Sequence, residues 1–160
     1  MQYQMVLQNR KGADMGEVVD AGKLREQDLK NCSCPIIVVN TTPRVEKMLT
    51  QVFKDMTVNL QLANRLLSYS KGLRNSYALD EVDKVIGNDS FPIYIENYEM
   101  LFTPAYNIDV INCFCNLSRK RKVAVKWCGE LHGDVLIYSK AENEDYRCYD
   151  IKSYDVLCIK

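Results

Sequence analysis

The stretch "PIIVVNTTPRVEKMLTQVF", residues 35 to 53, decides the fold. "PIIVVN" is a short β-branched run bounded by Pro and Asn, the pattern of a buried central strand. From Thr42 onward Val45, Met48, Leu49, Val52 and Phe53 recur at helical spacing, behind a hydroxyl suited to capping and a proline suited to the first turn. A buried strand running into an amphipathic helix is half of a parallel β-α-β unit.

The pattern repeats outward. "FPIYI" (91–95) and "VAVKW" (123–127) read as two more buried strands. "NLQLANRLLSYSKG", "ALDEVDKVIG" and "NIDVINCFCNLSRKRK" read as helices, the second ended by Gly87. A strand edge is expected at Val58 to Leu60. "GDVLIYSK", "YRCYDI" and "YDVLCIK" read as short antiparallel strands at the edge of the sheet. Alternating strands and helices predict a three-layered α/β domain with a mainly parallel sheet over residues 31–160. Residues 1–30 are polar and read as an N-terminal extension, with a helix over "GKLREQDLKN".

The chain has 160 residues, enough for one sizeable core, and 21 basic against 21 acidic residues. No global field draws it to nucleic acid or anionic lipid. Neither a membrane span nor a signal peptide is legible, so a cytoplasmic location is expected. Seven cysteines include two C-x-C pairs, Cys32/Cys34 and Cys113/Cys115. That spacing is tighter than zinc sites use, and buried thiols in a reducing compartment are the expectation, with no metal site.

In such sheets ligands sit at the carboxyl ends of the strands. Three ends therefore matter: "NTTPRVEKM" after the first strand, Glu96 and Asn97 after the second, and Trp127 to Gly129 after the third. An apolar strand ending in an acid is the pattern of a Walker B strand, whose carboxylate holds magnesium. Its partner, G-x-x-x-x-G-K-[ST], cradles phosphate with backbone amides. Here both glycines are missing, Pro43 removes an amide, Glu46 adds negative charge, and Met48 follows Lys47 in place of Ser or Thr. Lys47, Glu96 and Asn97 are the candidate nucleotide-site residues, and ATP with magnesium is doubtful as a cofactor. No nucleophile is legible beside His132, the only histidine, so no catalytic residue is assigned.

The segment from Glu96 to Ile151 resembles the second half of the BrxF proteins, the small P-loop component of type 3 BREX phage-resistance systems. The resemblance rests on Glu96, Asn97, Glu99, Leu101 and Phe102; on Leu117, Ser118, Arg119 and Arg121; on Trp127 and Gly129; on Leu136, Tyr138 and Ser139; and on Asp145, Tyr146, Arg147 and Tyr149. "NLQLANRLLSYSKGLRN" extends it less specifically toward residue 35. It implies a P-loop-NTPase-like fold with a degenerate Walker A loop, and Glu96 standing where the family has Asp. The implied role is a non-catalytic adaptor in a BREX-like antiviral defence complex, its partners the large ATPase or the PglZ-like protein. The alternatives are an ATP-binding domain with an atypical loop, and a DNA-contacting module. Arg119 and Arg121 are the sensor-like or DNA-contacting candidates, and Tyr138, Tyr146 and Tyr149 a candidate protein-contact surface.

Overall fold

The computed structural model describes residues 16–87 and 90–160. Six strands form one parallel sheet: β1 (Glu17–Val19), β2 (Ile36–Val38), β3 (Lys54–Thr57), β4 (Ile93–Glu96), β5 (Val123–Lys126) and β9 (Leu157–Ile159), in the spatial order β1-β9-β2-β5-β4-β3. Three shorter strands, β6 (Glu130–His132), β7 (Val135–Tyr138) and β8 (Arg147–Asp150), make a separate antiparallel sheet.

Strand alternation divides the main sheet between two cores. Ile36, Val38, Tyr94, Ala124, Leu157 and Ile159 face α1 (Glu26–Asn31) and α2 (Pro43–Val52), where Leu29, Val45 and Leu49 are fully buried. Ile37, Ile93, Ile95, Val123, Val125 and Cys158 face α3 (Asn59–Leu66), α4 (Lys71–Ile86) and α5 (Val110–Ser118). The small sheet adds Leu136 and Tyr149 to this second core. The expected three layers are present, with an additional antiparallel sheet.

Three expectations are corrected. "YDVLCIK" is β9, which lies between β1 and β2 and runs parallel to both, so it is neither an edge nor antiparallel. The strand expected at Val58 to Leu60 lies earlier, at Lys54–Thr57, and Val58 instead leads into α3. Within the expected extension, residues 17–31 supply β1, a 3-10 turn at Ala21–Lys23 and α1; residues 1–15 lie outside the described residues.

Identifiable caps set three of the helix ends. Thr42 accepts the Val45 amide at 3.3 Å and Pro43 opens α2. Asp109 accepts the Asn112 amide at 2.9 Å to open α5. Gly87 ends α4 at φ 79°, a left-handed conformation that glycine adopts without steric cost. No helix among the described residues is long and apolar enough to cross a membrane.

Candidate functional site at the strand ends

Because the main sheet is parallel, its carboxyl ends share one rim. Along it β5 stands between β2 and β4, so the β2–α2 loop and Glu96 are separated by the end of a third strand. Lys126 ends that strand, and its ammonium lies 4.0 Å from the Glu96 carboxylate. Glu96 is thus partnered by Lys126, not by Lys47, which is exposed on α2.

The β2–α2 loop is already bonded to its own protein. The amides of Val39 and Asn40 donate to the Ile159 carbonyl at 2.8 and 3.3 Å, tying the loop to β9. The Val45 and Glu46 amides are taken by the Thr42 hydroxyl and carbonyl. Arg44, the nearest strong cation, donates to the carbonyls of Leu24, Ala21 and Gly22 at 2.8, 2.8 and 3.2 Å. Behind the loop, burial raises the pKa of the Tyr94 hydroxyl, and the charges of Glu46, Glu96 and Asp55 raise it further. Among the described residues, an amide nest, a lysine and a metal hydroxyl for a nucleotide phosphate are not assembled at this loop.

The stretch from Glu96 to Phe102 has local structural duties. Asn97 sits at φ 50°, a left-handed position that Asn tolerates, and its carbonyl accepts the amides of Val58 and Asn59 at 3.2 and 2.7 Å. Asn59 then reaches back, donating to Glu99 at 2.8 Å and accepting the Met100 amide at 3.0 Å. Tyr98 is buried and donates to the Lys126 carbonyl at 2.8 Å. Phe102 stacks on Tyr138 with centroids 3.7 Å apart and meets Trp127 edge-on.

Beside the β2–α2 loop, the residues just after β2 and β9 and the strand β6 form a cleft of about 290 Å³ lined by Val39, Asn40, Gly129, Glu130, Leu131, His132 and Lys160. His132 and Glu130 pair at 2.6 Å on its wall. Trp127 does not line it: the indole is buried and its N–H donates to the carbonyls of Glu130 and Ile137, each at 3.2 Å. Asn40, Glu130 and Lys160 were not singled out from the sequence. Only the position of Asn40 just after β2 gave a signal.

The remaining candidates are dispersed. Arg119 to Lys122 join α5 to β5 and so lie at the amino rim, opposite Glu96. Arg119 is exposed, whereas Arg121 is buried and donates to the Gly87 carbonyl at 2.8 Å, a structural tether between α4 and β5. Tyr138 and Tyr146 are half-buried. Tyr149 is only 6% exposed and packs edge-on against Trp127 and Tyr154, which takes it out of any contact surface. Burial pushes the Tyr149 hydroxyl up to about 12.

No family model matches the chain, and no curated protein or solved structure matches it either.

Proposed function

We propose that this chain is a non-catalytic adaptor of a BREX-like antiphage defence complex, a P-loop-NTPase-like scaffold whose nucleotide site has degenerated. The observation that carries the non-catalytic half is the loop at 39–46, where four amides and the Arg44 guanidinium are already bonded within the protein. The order of strands, with β5 interposed between the loop-bearing strand and the acid-bearing strand, supports the scaffold reading. An adaptor works through surface, and the α3–α4 hairpin supplies one. Leu60 on α3 and Leu67 at its C-cap are 73% and 67% exposed, and Leu73, Tyr77 and Leu79 are exposed on α4. Exposed apolar side chains on neighbouring helices favour protein contact.

The DNA-contacting alternative loses one of its two arginines to the Gly87 tether. The test is co-expression with the large ATPase and with the PglZ-like protein of a BREX-like system, followed by size-exclusion chromatography. Co-elution with one of them, lost in a Leu60→Asp/Leu67→Asp variant that keeps its circular dichroism spectrum, is the expected result. Absence of a complex with both at micromolar concentration overturns the adaptor reading.

A further inference from the structure

The two C-x-C pairs have the same spacing and different geometry. Cys113 and Cys115 lie on α5, where residues two apart point away from each other, and Cys115 turns its thiol toward the Asp155 carbonyl at 3.8 Å. Cys32 and Cys34 lie in the non-helical connection between α1 and β2. Cys32 is extended, at φ −71° and ψ 126°, and the two sulfurs approach to 3.4 Å.

The chain is pinned on either side of this pair. The Cys32 amide donates to the Asp28 carbonyl at 3.1 Å, and Asp28 is held by Arg25 at 2.8 Å. On the other side, the Pro35 carbonyl accepts the Leu157 amide at 2.9 Å, fixing the start of β2 to β9. Both cysteines belong to the core beneath α1 and α2, 7% and 5% exposed, and the Cys32 thiol also donates to the Cys34 carbonyl at 3.4 Å. The sulfurs meet because the backbone holds them there. Closing to a bond of about 2.05 Å requires a movement of roughly 1.4 Å between them.

We infer that Cys32 and Cys34 form a dithiol–disulfide redox site whose oxidant is a low-molecular-weight disulfide of the glutathione class. One thiolate attacks the small disulfide, forming a mixed disulfide and releasing one small thiol. The second cysteine, as its thiolate, attacks the protein sulfur of that bond and releases the other small thiol. Two cysteine thiols and one small disulfide become one protein disulfide and two small thiols, with two electrons and two protons transferred. The other cysteines lack this geometry: Cys113 and Cys115 diverge on α5, and the Cys115 thiol is turned to the Asp155 carbonyl. Cys148 is exposed and has no bridging partner arranged for it among the described residues, so it ends at the mixed disulfide.

The full-length protein, folded and in urea, is equilibrated with buffers of reduced and oxidised glutathione, quenched by alkylation and mapped by mass spectrometry. The expected product is a 32–34 peptide lighter by two hydrogens. It should reach half-oxidation in the folded protein at a glutathione ratio about tenfold or more further toward reduced than in urea. Cys32→Ser and Cys34→Ser should each abolish it, with circular dichroism confirming the fold. Equal ratios in folded and unfolded protein would show that the structure contributes nothing to closure. Glutathione adducts on Cys32 or Cys34 without ring closure, or equally ready closure of Cys113/Cys115, would also overturn the assignment.

Discussion

Gly129 explains at the scale of one atom why Trp-x-Gly follows β5. A Cβ built there would stand 1.9 Å from the Ile137 carbonyl oxygen, which is backbone and cannot swing aside. The Trp127 indole hydrogen-bonds that same carbonyl, so the tryptophan and the glycine together seat the β6–β7 hairpin on the end of β5. Gly129→Ala should lift the hairpin and destabilise the protein by about 1–3 kcal/mol. Trp127 is the only tryptophan, so its fluorescence in a urea titration reads both the stability and the local change. Glu81 is a second decisive residue. Its carboxylate takes Lys84 at 2.7 Å, the Tyr69 hydroxyl at 2.8 Å and Arg65 at 2.6 Å, and these hold its pKa down from 4.5 to about 2. A depressed carboxylate contributes stability that is present above the unfolded value and disappears as pH falls through the folded one. Glu81→Gln should therefore lower stability at neutral pH and flatten the pH dependence between about 4.5 and 2, read as urea midpoints across that range.

At the scale of elements, the clamp between α3 and the segment after β4 makes a similar forecast. Asn59 serves Glu99 and the Met100 amide with the two ends of one amide group. Asn59→Ala removes both bonds and should cost about 1–3 kcal/mol by urea denaturation, with faster hydrogen exchange confined to residues 97–103. An unchanged midpoint would mean the clamp is idle. The same clamp shows where sequence reading stops. β2, β4 and β5 were legible because both of their faces are buried and their runs are continuously apolar. α2 was legible because its cap, its proline and its apolar period agree. β3 was not, because "KDMT" is an edge strand with mostly exposed side chains and carries no apolar alternation. β9 was read as a strand, but its neighbours and direction depend on where the chain travels after the small sheet, which no local pattern encodes. The site suffered in the same way. Glu96 was found at a strand end, whereas its partner Lys126 follows from β5 standing beside β4. The cleft beside β6 joins residues some 120 positions apart, from Asn40 to Lys160.

For the whole molecule, the rim of the sheet decides between a nucleotide-dependent machine and a surface that other proteins read. Phosphate binding at such a rim needs unbonded amides and positive potential. In this protein the Val39 and Asn40 amides are bonded to β9, Arg44 is bound to three carbonyls, and the Lys126 ammonium stands beside Glu96. Besides burial, the charges of Glu46, Glu96 and Asp55 all raise the pKa of the Tyr94 hydroxyl. Lys47 is exposed on α2, and a single exposed lysine binds phosphate weakly. Calorimetric titration of ATP or ADP with magnesium should give no saturable heat at millimolar nucleotide. The Lys47→Ala variant should behave identically, and a Glu96→Gln variant, by removing one carboxylate, should gain no more than weak binding. Micromolar affinity abolished by Lys47→Ala would mean that the loop leaves β9 and refolds around the phosphates. That would replace the adaptor proposal with an enzyme and make the bonded loop a resting state.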